Sequence, residues 1–309
     1  MRTYRLGLLF RAVLWAVTLF LACMVFAVSS EVLLSLCVKV LAAAALVNLL
    51  VIEIFPWLIP FFPSTIGRGL GFIRSSFIDI YSVILAHCAS PFRQSAYNPA
   101  NDEGGEPVVF IHGYLTTSGL WFYFRRKCKA AGCRNLFFVD LGAPLGSIEE
   151  HVEKLRREVK RIVGITGKTQ LKLVGHSMGG LVAACYISRF AEEEEIEVTD
   201  FVSLAAPFYG TPWGKLGPGI SPKQMGTGSE FLRSLRQAFL TKPVRSLFLE
   251  SSSDWVVVQL DPEFVNMRKE YQHVRIDDIG HGTFVFSERA IQEVVAFLGC
   301  HGNVHSPKA

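Results

Sequence analysis

The pentapeptide Gly175-His176-Ser177-Met178-Gly179 has the spacing G-x-S-x-G and stands between the apolar run LKLV and an apolar stretch that begins at Leu181. A serine hydroxyl is a poor nucleophile unless a neighbouring base removes its proton. A sharp turn from a strand into a helix would point that hydroxyl out of a sheet, and the flanking glycines would allow the close packing that such a turn requires. The motif therefore predicts nucleophilic catalysis by Ser177.

A nucleophilic serine needs a histidine as its base, and in proteins with this turn the acid and then the histidine follow the serine. His281 fits best, because it lies in a glycine-flanked loop between the last predicted strand and the last predicted helix. His273 begins a strand and is interpreted as a packing residue, whereas His301 and His305 lie in the tail. We therefore expect His281 to be the base.

The acid that orients this histidine is expected in the polar loop after the fifth predicted strand. Asp254 lies there, within SSSDWVV. It would hold the histidine in one tautomer and stabilise the imidazolium ion. Asp261 is the alternative, although its position before Pro262 is typical of a turn. Asp254 is therefore the predicted acid.

Acyl transfer to a serine also needs two N–H groups that stabilise the developing oxyanion. One is expected from Met178, directly after the nucleophile, where a helix N-terminus adds its positive dipole. The other is expected from Tyr114, in the loop after the first strand. His112 would then shape this loop and take no part in proton transfer.

Short apolar runs alternate along the chain with helical patterns. The strands are expected between Pro107 and Gly113 and then at 135–141, 171–174, 200–205, 244–249 and 273–276. Ser147 with Glu150 forms a capping box. It opens a helix whose apolar face comprises Ile148, Val152, Leu155, Val159 and Ile162. The alternation predicts an α/β fold, a mostly parallel sheet with helices on both faces.

The composition narrows the class of protein. The 309 residues allow one large domain with an extension. Hydrophobic residues make up 50% of the chain, and their excess over a typical soluble domain lies at the front of the chain. The formal charge of +4 comes from scattered basic residues, so nucleic acid is not an expected partner. None of the seven cysteines has the spacing of a zinc site. We expect no metal, no cofactor and reduced structural thiols, which favour a reducing compartment.

The front of the chain is typical of a membrane anchor over residues 1–63, with one or two transmembrane helices. Residues 12–28 carry no charge, and a second apolar stretch covers 32–55 with three polar interruptions. Basic residues flank both stretches, which favours a hairpin with both ends, and hence the catalytic domain, in the cytoplasm. A secretory signal that exports the protein is the alternative.

The remaining chain divides into three parts. Residues 64–105 are expected to form a juxtamembrane amphipathic segment and a linker, because 89–107 are rich in Ser, Pro, Asn and Gly. The catalytic domain is expected over 106–300, and 301–309 form a tail.

Several motifs in the domain resemble one known family. HGY at 112–114, GHSMGG at 175–180, AAPFYGTPWG at 205–214, SSDWVV at 252–257 and GHGTFVF at 280–286 are similar to the bacterial lipase and esterase branch of the α/β-hydrolase superfamily. The same pattern occurs in triacylglycerol lipases and in the glycosylphosphatidylinositol-deacylase-like group. The resemblance covers residues 106–299 and implies a three-layer αβα sandwich.

This resemblance implies a carboxylic ester hydrolase that works through an acyl-enzyme on lipid or other acyl esters. With the anchor predicted over residues 1–63, the favoured location is the bacterial inner membrane. It also implies a mobile cap over about 208–242, whose apolar residues could line an acyl pocket or form the cap's own core: Trp213, Leu216, Met225, Phe231 and Leu232. An acyltransferase or thioesterase with the same three residues, and an inactive membrane scaffold, are the alternatives. The sequence leaves the oligomeric state open.

Overall fold

The computed structural model describes residues 105–142, 144–277 and 279–300. The segments predicted as a membrane anchor, as a juxtamembrane segment and as a tail lie outside these residues, apart from the last residue of the linker. Within the described residues, no helix has both the length and the apolar character needed to cross a membrane. The anchor over 1–63 therefore stays a prediction.

The described residues contain one six-stranded sheet in which all neighbouring strands are parallel. The strands are β1 Val108–Ile111, β2 Leu136–Val139, β3 Gln170–His176, β4 Glu197–Leu204, β5 Arg245–Glu250 and β6 Tyr271–Arg275. Their order in the sheet is β2-β1-β3-β4-β5-β6. The chain thus reverses direction across the sheet between β1 and β3, and in open α/β sheets ligands bind beyond the carboxyl ends of the strands at such a point.

Helices follow the strands on both faces of this sheet. They are α1 Phe122–Ala130, α2 Ile148–Thr166, α3 Met178–Arg189, α4 Ser221–Gln224, α5 Glu230–Leu240, α6 Pro262–Asn266 and α7 Glu288–Phe297. Short 3-10 turns cover Ser118–Trp121, Pro212–Lys215 and Gly282–Phe286. The capping box predicted at Ser147 is present, because its hydroxyl accepts from the Glu150 N–H and the Glu150 side chain accepts from the Ser147 N–H.

Alternating side chains of the strands supply two hydrophobic layers. On β1, Val109 and Ile111 face one layer, which also holds the buried residues of α2, α3 and α5. Val108 and Phe110 face the other layer, with α1 and α7. Because successive residues of a strand point to opposite faces, a fully apolar run such as VVFI fits a strand that is covered on both sides. The predicted α/β fold, with a mostly parallel sheet and helices on both faces, is thereby confirmed.

The structure differs from the cap that was expected over 208–242. Its second half is helix α5, which buries Leu232, Leu235 and Phe239 in the main core. Its amphipathic pattern and the Ser229 N-cap therefore serve to pack the helix on the domain, not to cover the site. We call the segment from about 208 to 229 the cap segment below, and its role as a cap stays a prediction.

The interpretation of all cysteines as reduced thiols is wrong for one pair. Cys133 and Cys300 form a disulfide whose Cα atoms are 4.8 Å apart. It ties the chain just beyond α7 to the loop between α1 and β2. Cys128 and Cys185 are free and buried, as expected of structural thiols.

Candidate active site

Ser177 stands on a sharp turn between β3, which ends at His176, and α3, which begins at Met178. Its backbone has φ 54° and ψ −126°, a strained conformation for a residue with a side chain. A Cβ atom on Gly175 would come within 2.5 Å of the Gly179 backbone. One on Gly179 would lie 2.3 Å from the Ile111 carbonyl oxygen. Both glycines are therefore required for strand and helix to approach this closely.

The structure brings Ser177, His281 and Asp254 together at the carboxyl edge of the sheet. His281 Nε2 lies 2.8 Å from Ser177 Oγ, and His281 Nδ1 lies 2.8 Å from Asp254 Oδ2. An ionised carboxylate only accepts hydrogen bonds, so the Nδ1–H of His281 donates to Asp254. The Nε2 lone pair is then free to accept the proton of the Ser177 hydroxyl, which is the arrangement that a general base requires.

Asp254 is held as a carboxylate by its neighbours. Burial alone would raise its pKa, but the positive charge and hydrogen bond that His281 offers, together with two backbone N–H groups, bring the pKa below its ordinary value. Those N–H groups belong to Val256 and Val257, 2.8 and 3.2 Å from Oδ1. The alternative acid, Asp261, caps helix α6 by accepting from the Glu263 N–H.

His176, next to the nucleophile, is a second buried imidazole in the site. Its Nε2–H donates to the carbonyl oxygen of His281 at 3.0 Å, and the centres of the two rings are 5.1 Å apart. Burial, and then the charge of His281, lower the pKa of His176 to about 3. His176 is therefore neutral at working pH and supports the backbone of the His281 loop.

The loop after β1 is held by His112 and passes close to Ser177. His112 accepts the Leu141 N–H at 3.0 Å through Nε2, and its Nδ1 lies 2.9 Å from the Gly113 carbonyl oxygen. These bonds give His112 a role in holding the loop. A Cβ atom on Gly113 would lie 3.0 Å from the Ser177 Cβ, so this loop passes directly beside the nucleophile. Tyr114 follows in that loop and Met178 opens α3. The assignment of their N–H groups to an oxyanion stays a prediction.

A small pocket of about 50 Å³ opens at Ser177. It is lined by Gly113, Tyr114, Thr116, Leu120, His176, Ser177, His281 and Gly282. The five residues expected to line an acyl pocket are placed elsewhere. Met225 and Leu232 are buried in the core and Phe231 packs against it. Trp213 and Leu216 are 44% and 75% exposed.

The sequence analysis missed the residues that hold the acid loop in place. Glu250, at the end of β5, accepts the Leu260 N–H at 2.6 Å, and its other oxygen lies 2.9 Å from His273 Nε2. Ser251 donates its hydroxyl to the Ile279 carbonyl oxygen at 2.5 Å, which joins the acid loop to the histidine loop. A charged residue at the end of an apolar strand was the available signal, because a buried carboxylate needs partners.

The described residues contain no cluster of side chains suited to bind a metal ion. Over these ranges, no three His, Cys, Asp or Glu side chains lie close enough to hold a metal ion.

Parts of this chain are similar to a protein family model and to known proteins. A family model described as alpha/beta hydrolase fold matches residues 106–252. The probable esterase PIR7A of Oryza sativa subsp. indica is 28% identical over 148 residues, which are 45% of this chain and 49% of that protein. The chain spans only part of the curated relatives that it matches, between 16% and 49% of their lengths.

Two solved structures have a similar fold. Lipase B of Aspergillus fumigatus has a TM-score of 0.54 at 20% identity, over 68% of this chain and 56% of that one. The mature lipase BlEst2 of Bacillus licheniformis has a TM-score of 0.52 at 17% identity, over 66% of this chain and 95% of that one. The curated relatives come from plants, so the bacterial and deacylase-like branches stay predictions. The chain is therefore similar to proteins with the α/β-hydrolase fold over residues 106–252.

Proposed function

We propose that the domain is a serine hydrolase of the lipase and esterase type that cleaves carboxylic esters through an acyl-enzyme. The observation that carries this proposal is the line of three side chains, in which His281 lies 2.8 Å from both Ser177 Oγ and Asp254 Oδ2. All three side chains are largely buried, with 8–9% of each residue exposed, which strengthens their electrostatic interactions.

The chemistry follows from these positions. Ser177 Oγ attacks the ester carbonyl carbon while His281 Nε2 takes its proton, and the Asp254 carboxylate stabilises the imidazolium ion. The oxyanion would accept hydrogen bonds from the N–H groups of Tyr114 and Met178. When the tetrahedral intermediate collapses, His281 gives its proton to the leaving alcohol. Water then attacks the acyl-enzyme with His281 again as base, releasing the acid and restoring Ser177.

The names of similar proteins support this choice of reaction. PIR7A is a probable esterase, and another relative, from Arabidopsis thaliana, is a probable lysophospholipase. Both similar structures reported above are those of lipases. These names favour an ester bond over other bonds that the same three residues could cleave.

The test is the hydrolysis of p-nitrophenyl esters by the full chain in detergent. We expect turnover that Ser177→Ala reduces by about 10⁶-fold, because no other group replaces the nucleophile. The exposed Ser252, which bonds Asp277, provides a matched control, since Ser252→Ala makes the same chemical change outside the site. Turnover that persists in Ser177→Ala would contradict the proposal.

We also propose that the front of the chain anchors this domain to a membrane. Residues 12–28 are uncharged and apolar, as a membrane-spanning helix requires. The Cys133–Cys300 disulfide favours a domain on the side of that membrane away from the cytoplasm, because disulfides persist in oxidising compartments. If the anchor is real, the full chain will stay with the membrane fraction in alkaline carbonate, and release into the supernatant would contradict it.

A further inference from the structure

The pocket at Ser177 is small for the acyl chain of a lipid. Its volume is about 50 Å³, whereas pockets for drug-sized ligands occupy about 300–1,000 Å³. One water molecule needs about 10–15 Å³ of such a volume, so only a few atoms of that size fit beside the hydroxyl. The walls of this pocket therefore decide which acyl groups can reach Ser177.

Tyr114 forms the wall that faces the cap. The residue lines the pocket, and its ring packs against the main core. Its hydroxyl donates to the carbonyl oxygen of Pro218, 104 residues later in the chain. A Cβ atom on Gly217 would lie 3.6 Å from that hydroxyl. The side chain thus reaches from the loop after β1 to the cap segment.

The cap segment that holds Tyr114 is itself fastened at its first end to the acid loop. The Val258 N–H donates to the Gly210 carbonyl oxygen at 2.8 Å. The Thr211 hydroxyl donates to the Val256 carbonyl oxygen at 2.5 Å. Any movement of this end would therefore also displace the loop that carries Asp254.

A later part of the cap segment, at residues 220–221, is hydrogen-bonded to the chain just before α2. The Ile220 and Ser221 N–H groups donate to the carbonyl oxygens of Leu145 and Gly146, each at 3.2 Å. The Ser221 hydroxyl, which is buried, adds a bond of 2.6 Å to the Gly146 carbonyl oxygen. Backbone hydrogen bonds thus hold the segment on both sides of Pro218, which makes Pro218 a fixed partner for Tyr114.

We propose that Tyr114 limits the length of the acyl group, so that the site takes esters of short acyl acids. This inference rests on the proposed function, and it replaces the expectation of a mobile cap that opens for long chains. The phenol blocks the direction in which a longer chain would extend, and the bond to Pro218 keeps it there. Tyr114 would thus combine two roles, since its backbone N–H is proposed to bind the oxyanion and its side chain to select the acyl group.

The test measures kcat/KM of the full chain in detergent for the p-nitrophenyl esters of acetate, butyrate, octanoate and laurate. We expect the wild type to prefer acetate or butyrate over octanoate by at least about tenfold, because a small pocket disfavours surplus methylenes. Tyr114→Ala should raise the octanoate-to-acetate ratio by at least about tenfold. Tyr114→Phe, which loses only the hydroxyl, should raise the same ratio by a smaller factor.

Tyr123→Phe is the matched control. It also removes one phenol hydroxyl, which here bonds Glu288 away from the pocket, and it should leave the ratio unchanged. A wild type that prefers octanoate or laurate would overturn the inference, as would an unchanged ratio in both Tyr114 variants. Failure of the proposed function gives a different result, because then no ester of any length shows turnover that depends on Ser177.

Discussion

Two carboxylate–histidine pairs lie at the end of the sheet formed by β5 and β6, and they differ in what surrounds them. His281 Nδ1 lies 2.8 Å from Asp254 Oδ2, and His273 Nε2 lies 2.9 Å from Glu250 Oε2. The first pair is buried, with the two side chains 11% and 1% exposed. In the second pair the histidine side chain is 27% exposed, although Glu250 is buried.

The two pairs differ in what the remaining ring nitrogen of the histidine and the remaining oxygen of the carboxylate contact. His281 directs Nε2 at Ser177 Oγ, whereas Glu250 uses its second oxygen to accept the Leu260 N–H. In the proposed mechanism the Asp254–His281 pair therefore serves proton transfer, whereas the Glu250–His273 pair holds the loop that carries Asp254. A short contact between a histidine and a carboxylate does not identify a general base. The position of a nucleophile at the other ring nitrogen does.

The largest effect should come from breaking the buried pair. Asp254→Asn keeps the shape of the side chain but removes the charge that stabilises the imidazolium ion and selects its tautomer. We expect kcat for a short ester to fall by about 10⁴-fold. Steady-state kinetics, with a thermal melt to verify the fold, would check this. A loss below tenfold in a folded protein would mean that another carboxylate orients His281.

A smaller effect, on stability, is expected from a third histidine, His176. Burial lowers its pKa from 6.5 to about 3. As the pH falls from 6.5 towards 3, the unfolded chain binds a proton that the folded chain does not. Stability therefore falls with the pH through this window, by about 1.4 kcal/mol per pH unit.

His176→Gln tests this, because it retains a donor for the His281 carbonyl oxygen and removes the titrating ring. Chemical denaturation at pH 6, 5.5 and 5 should give a slope of unfolding free energy against pH that is smaller than the wild-type slope by nearly one proton. An identical slope would show that the folded protein already protonates His176.

The smallest effect should come from the second pair. Glu250→Ala leaves the buried Leu260 N–H without an acceptor, which should cost about 1–3 kcal/mol and lower kcat far less than Asp254→Asn does. His273→Gln removes only the partly exposed partner and should cost about 0–1 kcal/mol. Thermal melts and ester kinetics of both variants would check the order. A Glu250→Ala variant that folds but is as inactive as Asp254→Asn would reverse the roles of the two pairs.

The fold and the three central residues were predictable because their signals are local. Each strand is an apolar run of β-branched and aromatic residues, and the capping box at Ser147 lies within four residues. The turn at Ser177 depends on Gly175 and Gly179, whose lack of side chains can be read from the sequence. Helix α1 was missed, because only Phe124 and Cys128 of its residues are buried and its periodicity is weak.

The shape of the pocket was not predictable, because it depends on contacts between distant parts of the chain. Tyr114 meets Pro218 across 104 residues, and Cys133 meets Cys300 across 167. The apolar residues Met225 and Leu232 have the character of pocket residues, but their helical or turn context places them in the core. The sequence shows that such residues are apolar, and only the packing shows which surface they cover.

Labelling with a fluorophosphonate probe, read by mass spectrometry of the intact full-length protein, tests the activation of Ser177 most directly. If His281 activates Ser177, we expect a single adduct on the wild type and on Ser252→Ala, and none on Ser177→Ala. The reason is that only a deprotonated hydroxyl attacks the phosphorus atom at a useful rate. If Ser177→Ala carried the same adduct, or if the folded wild type carried none, Ser177 would not be an activated nucleophile.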